Sequence, residues 1–294
     1  MFTVQINHNN MQWFGRRESD NVDDERGGGG GGRFALGGGI VSIVALAIYY
    51  FTGIDASQLL NQVATTNQPR TEQRAKDPNA PEDKQTQFVK VVLADTEDIW
   101  TKIFSEMGRT YQQPRMVLFS DAVRSGCGNA SSATGPFYCP ADARVYIDLS
   151  FYDELQNRFG AAGDFAQAYV IAHEVGHHVQ NLLGTSAKVD AARNRLSEKQ
   201  YNKLSVKLEL QADFYAGVWA HYEQNLKNVL DPGDIEEALN AANAIGDDRL
   251  QKQAQGQVNP DSFTHGTSAQ RMYWFKKGYE TGDINQGNTF GSKE

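Results

Sequence analysis

The 294-residue chain carries 28 basic against 36 acidic side chains, a formal net charge of −8, and 40% of its residues are hydrophobic. That length and apolar content allow one large core or two small ones, and the acidic balance argues against a nucleic-acid partner, which would want a basic face. Cysteine occurs only at Cys127 and Cys139, too few for a zinc ribbon, so the pair is either two free thiols or one small-loop disulfide, according to compartment.

In chain order, residues 1–33 are polar and end in the glycine run Gly27 to Gly32. Such a segment buries too little surface to order itself and is expected to be a flexible tail. The run lacks the Lys and Ser/Thr of a phosphate-binding loop and reads as a linker. Residues 34–54 hold no charged side chain across 21 positions, and Tyr49, Tyr50 and Phe51 stand near their end. About 20 apolar residues cross a hydrocarbon core, so the stretch is predicted to be one transmembrane helix with an aromatic anchor. A cleaved signal peptide would have a shorter apolar core closer to the N-terminus. Arg16, Arg17, Arg26 and Arg33 precede the span, whereas the next basic residue after it is Arg70. By the positive-inside rule the N-terminus is expected in the cytoplasm, with everything beyond the span on the periplasmic or extracytoplasmic side of the cell (inner) membrane. Oxidising conditions there favour a Cys127–Cys139 disulfide. Residues 55–86, rich in Gln, Asn and Thr with Pro69, Pro78 and Pro81, read as a spacer.

The folded domain is expected over residues 87–294. Phe88, Val91, Val92, Ala94, Ile99, Ile103 and Met107 recur at mixed steps of three and four, which predicts an amphipathic helix. Met116 to Ser120 and Arg144 to Leu149 read as strands of a small antiparallel sheet, with both cysteines, Gly135, Pro136 and Pro140 in the loop between them. An edge strand of that sheet bordering a cleft would let an extended peptide add to it through main-chain hydrogen bonds.

The next segment, Asp164 to Leu183, is predicted helical and contains Ala172-His173-Glu174-Val175-Gly176-His177-His178. His173 and His177 lie one turn apart on one face, so both imidazoles can reach a single ion at about 2.0–2.1 Å. Glu174 then sits beside the ion's open position, where a carboxylate takes the proton of an attacking water. Gly176 lowers helix propensity in mid-helix, which speaks for a specific role of the segment. His178 points about 100° away from His177 and is assigned to packing. Further helices are predicted near 187–195, 197–223, 234–245 and 267–280, the last opened by a Thr267–Gln270 capping box. On the second of these, Glu209 and Asp213 again share a face. The longer Glu209 suits a third metal ligand, and the shorter Asp213 suits the outward ring N–H of a ligating histidine. His221 is expected to be structural, and His8 belongs to the tail.

His173-Glu174-x-x-His177 followed by Glu209-x-x-x-Asp213 on a later helix resembles the gluzincin metallopeptidases. With Met11-Gln12-Trp13-Phe14-Gly15-Arg16-Arg17, Thr134-Gly135-Pro136-Phe137-Tyr138-Cys139-Pro140 and Thr264-His265-Gly266-Thr267 added, the chain is similar to the bacterial, membrane-anchored neutral zinc metallopeptidases of YpfJ type. The likeness begins near Met11, which makes Met11 an alternative start. It implies an α+β, mostly helical zincin-like domain with one Zn2+ held by His173, His177 and Glu209, and Glu174 as general base. It also implies a second oxyanion donor from the C-terminal half, for which His265 is the candidate and Arg271 its rival; a loop histidine bonded to backbone is the plain alternative for His265. The expected function is hydrolysis of peptide bonds in extracytoplasmic polypeptides, with the membrane as the other partner. Two alternatives stand beside it. A zinc-stabilised, non-catalytic envelope scaffold needs no base at position 174, whereas a zinc amidase acting on cell-wall peptides shares all of this chemistry.

Overall fold

Helix α1 (Lys84–Glu106) starts where the Asp83 side chain accepts from the Thr86 N–H, and it buries Phe88, Val92, Ile99, Trp100, Ile103 and Phe104. The structure, a computed structural model, describes residues 11–26 and 82–291. The predicted span 34–54, most of the spacer and His8 lie outside the described residues. Among the described residues no helix is long and apolar enough to cross a membrane.

The sheet runs β1 (Val22–Asp24), β2 (Arg115–Phe119), β6 (Arg144–Asp148), β5 (Phe137–Cys139). It corrects the expectation of an antiparallel sheet: β2 is parallel to both β1 and β6, and only β5 pairs antiparallel with β6. Met116 to Phe119 and Val145 to Asp148 are all buried, the continuous run expected of strands covered on both faces. The connection between β2 and β6 is long enough for a crossover, and it carries a separate antiparallel hairpin, β3 (Ala122–Ser125) with β4 (Gly128–Ser131). Cys139 on β5 is bonded to Cys127.

Residues 11–26 correct a second expectation, because they are no tail. Met11 is 2% exposed, and Trp13 meets Phe88 edge-on at 5.5 Å. Arg16 donates to Asp95 at 2.7 Å, Arg17 bridges Glu97 and Asp98, and Ser19 and Asn21 both donate to Glu97. β1 then lies along β2 with Val22 opposite Met116. The arm is ordered by charge pairing along α1, which a count of apolar residues does not register.

Helix α2 (Ser150–Asn157) leads to α3 (Asp164–Leu183), and a short helix, α4 (Thr185–Asp190), leads to the long α5 (Glu198–Tyr222). After a π-helical turn (Glu223–Lys227) come α6 (Asp234–Ala244), α7 (Asp247–Gln255) and α8 (Ser268–Thr281), the last opened by the predicted Thr267–Gln270 box. α5 is packed between α3 and α8. A Cβ at Gly217 would come 2.0 Å from the Phe275 carbonyl oxygen, so α5 and α8 touch backbone to backbone.

At the start of α3 the Met11 N–H donates to Asp164, whose carboxylate converges with those of Asp234 and Glu237. Burial, with repulsion from neighbouring carboxylates including Asp231 added, pushes Asp164 and Asp234 up to about 6 and Glu237 to about 7. Raised carboxylates take up protons on folding, so their stabilisation is complete below pH ~4 and is lost as pH rises through 6–7. Glu237→Gln, which keeps an acceptor for the Phe165 N–H, is therefore expected to melt above the wild type at pH 8. At pH 4 the two melting temperatures should coincide; equal values at both pH settings would refute the reading.

Candidate metal centre

The site is made where α3 crosses α5. Ridge packing of two helices normally leaves 8–10 Å between axes, and Gly176 brings these two close: a Cβ there would lie 2.9 Å from the Ala212 carbonyl oxygen. Mid-helix glycine is thus a contact requirement, set one residue from His177. Gly176→Ala should destabilise the fold by about 1–3 kcal/mol through overpacking, although alanine is intrinsically about 1 kcal/mol the better helix residue. Urea denaturation showing a gain in stability would contradict this.

Across the crossing, His173 Nε2 lies 3.2 Å from Glu209 Oε2 and His177 Nε2 lies 3.5 Å from Glu209 Oε1. A tetrahedral zinc with bonds of about 2.0–2.1 Å spaces its ligand atoms roughly 3.3 Å apart, so this donor set fits the ion. Each outward nitrogen is held. His173 Nδ1 meets Asp213 Oδ1 at 2.8 Å, and His177 Nδ1 meets Gln180 Oε1 at 2.9 Å. Acceptors at both Nδ1 atoms keep an N–H there, so that release of the Nε2 protons to make room for a metal leaves both Nε2 lone pairs on the Glu209 side, the tautomer a metal needs. Electrostatics agree with a cation at this point. Although burial opposes it, the Glu209 carboxylate pushes His177 up to about 9, and the two imidazoles hold Glu209 well below the usual carboxylate range.

Asp213 does more than orient one ring. It is 0% exposed and accepts from Tyr169 Oη at 2.5 Å and from Arg271 Nε and Nη2 at 2.8 and 3.0 Å. Burial works against its charge, but Arg271 and His173 hold it down at about 2. Arg271 also donates to Tyr169 and the Ile245 carbonyl, so its guanidinium is turned into the core behind His173. Glu174, between the two histidines, is 8% exposed. His265 has its side chain 51% exposed, its backbone N–H donating to Asp247 at 2.6 Å and Nδ1 3.2 Å from the same carboxylate. Partial desolvation opposes it, but Asp247 and the charge of Glu209 raise His265 above its ordinary range.

A family described as "Putative neutral zinc metallopeptidase" matches residues 11–290. The chain belongs to this family. Among its relatives, "Uncharacterized protein YpfJ" of Escherichia coli K12 is 52% identical over 289 residues, 96% of this chain and 99% of the relative. "Uncharacterized protein Rv2575" of Mycobacterium tuberculosis H37Rv is 43% identical over 217 residues, 70% of this chain and 72% of the relative. No solved structure matches.

The family match includes the residues 11–26 that pack on α1 and β2, which agrees with their being part of the domain. Of the sequence candidates, His173, His177 and Glu209 come together as a possible His-His-Glu metal site, Asp213 backs His173, and His178 and His221 turn away from it. His178 is held by Tyr138 and the Gln112 carbonyl, and His221 by the Tyr279 carbonyl. The sequence reading missed Gln180, whose amide donates to the Leu208 carbonyl at 2.6 Å and ties His177 to α5. Its signal was there: position 180 follows His177 by three residues, on the same face. Asp247, which fixes His265, carried no comparable signal.

Proposed function

We propose that the chain is a zinc-dependent peptide hydrolase, with His173, His177 and Glu209 as ligands. The observation that carries the reading is the convergence of these three donors within 4.8 Å, with Glu174, whose charge acts on His177, on the same helix α3. Bound zinc supplies a Lewis acid that polarises a carbonyl and lowers the pKa of water. Glu174 takes the proton from the attacking water and passes it to the departing amine. Asp213 and Gln180 hold the two imidazoles in their ligating tautomer. His265, backed by Asp247, donates to the oxyanion that develops on the substrate carbonyl. β5 is an edge strand packed against α3, and it offers main-chain groups to an extended polypeptide, which favours a peptide over other acyl substrates. The disulfide supports an extracytoplasmic location for this activity.

Purified full-length chain should contain close to one zinc per molecule and cleave an unstructured polypeptide. Cleavage should stop on chelation and return with added zinc; a protein without zinc, or with chelator-insensitive cleavage, would sink the proposal. Within that reading, His265→Ala should keep its zinc and lower kcat by about 10²–10³-fold, the usual cost of one oxyanion donor. Normal kcat with a lower melting temperature would make His265 structural.

A further inference from the structure

The pairing of β1 with β2 bears on how the chain meets a membrane. β1 ends at Asp24 and the described chain breaks off at Arg26, while α1 is capped by Asp83. These two points are side by side: Arg26 Nη2 lies 3.1 Å from Asp83 Oδ2 and donates to Thr86 as well. The described chain therefore resumes at Glu82 and Asp83 beside the point where it breaks off at Arg26.

One passage of a helix through a bilayer puts its two flanks on opposite sides. The arm could then not reach β2, the Glu97 carboxylate or Asp164. A second copy gives no escape, because every copy would present its arm on the same wrong side. A return passage would have to use residues 55–81, which include Asp55, Arg70, Glu72, Arg74, Lys76 and Asp77. Such a segment does not cross hydrocarbon, where charged side chains are costly and every backbone polar group needs an internal partner.

We infer that residues 11–26 and the catalytic domain occupy one compartment, so that no single membrane passage separates them. The clamp is made of charge pairs to α1 and its cap: Arg16 with Asp95, Arg17 with Glu97, and Arg26 with Asp83. Arg16, Arg17 and Arg26, three of the four arginines that the positive-inside rule counts, are thereby engaged by the domain, and their count no longer reports orientation. This inference is independent of the metal site.

The test uses full-length chain in intact bacterial cells, with single reporter cysteines at exposed positions. Phe14→Cys and Glu18→Cys sample the arm, where Phe14 is 80% exposed, and Tyr273→Cys samples the domain, at 59% exposure. Cys127 and Cys139 are bonded to each other, and the unsubstituted chain labelled in parallel sets the background of that pair. A membrane-impermeant maleimide is applied before and after permeabilisation, and the melting temperature of each variant reports its folding. All three positions are expected to label alike, all before permeabilisation or all only after it. Labelling of position 273 but not 14 or 18 in intact cells, or the reverse, would restore a single-pass topology and overturn the inference.

Discussion

Glu174→Gln is expected to keep its zinc and its melting temperature while losing about 10²–10⁴-fold in hydrolysis, the usual contribution of a positioned general base. The substitution preserves size and the ability to accept hydrogen bonds, so α3 and the crossing with α5 have no reason to move. The ligating atoms belong to His173, His177 and Glu209, and none is altered. What disappears is a group that can hold a proton between its removal from water and its delivery to the amine. Metal analysis and calorimetry establish the first half, and turnover of an unstructured polypeptide the second. Near-normal turnover would mean that another group is the base.

The second large effect belongs to Asp213, and it differs from what the sequence suggests. Read from its spacing, Asp213→Ala weakens zinc binding by about 10–100-fold by freeing the His173 ring. In the folded chain the same carboxylate also neutralises Arg271, which is 2% exposed. Removing one partner of a buried ion pair costs about 3–5 kcal/mol because the other charge stays behind. Asp213→Ala should therefore be destabilised by that amount with the metal stripped away, and should bind zinc more weakly on top of it. Paired substitution of Asp213 and Arg271 by apolar residues should recover much of the stability and none of the affinity. Denaturation in chelator separates the two effects: a wild-type midpoint for Asp213→Ala would show that the pair is not a structural element.

What was legible in the sequence follows from what periodicity encodes. His173/His177 and Glu209/Asp213 are each one turn apart, so each pair could be placed on a face before any fold was known, and the crossing only had to bring two faces together. α1, α5 and α8 were legible for the same reason. α7 was not: Asp247–Gln255 contains a single large apolar residue, Leu250, and is polar almost all round. β1 has three residues and no alternation, and its place in the sheet is set by a partner far along the chain. Strand direction was misread because short apolar runs look alike in either sense; burial on both faces, a tertiary property, decided it.

The distance between β1 and β2 also sets a clock. Asp23 and Arg115, ion-paired in the finished sheet, are 92 positions apart. At a synthesis rate of about 5–20 residues per second, the arm waits on the order of 5–20 s before its neighbour strand exists. During that interval Asp23 waits for Arg115, and when β2 does form, its edge stays open until the arm pairs with it. Long-range pairing of this kind is slow to form. The arm is thus made first but can complete the sheet only once β2 exists, and a nascent chain that stalls before that pairing offers a bare strand edge to any passing partner.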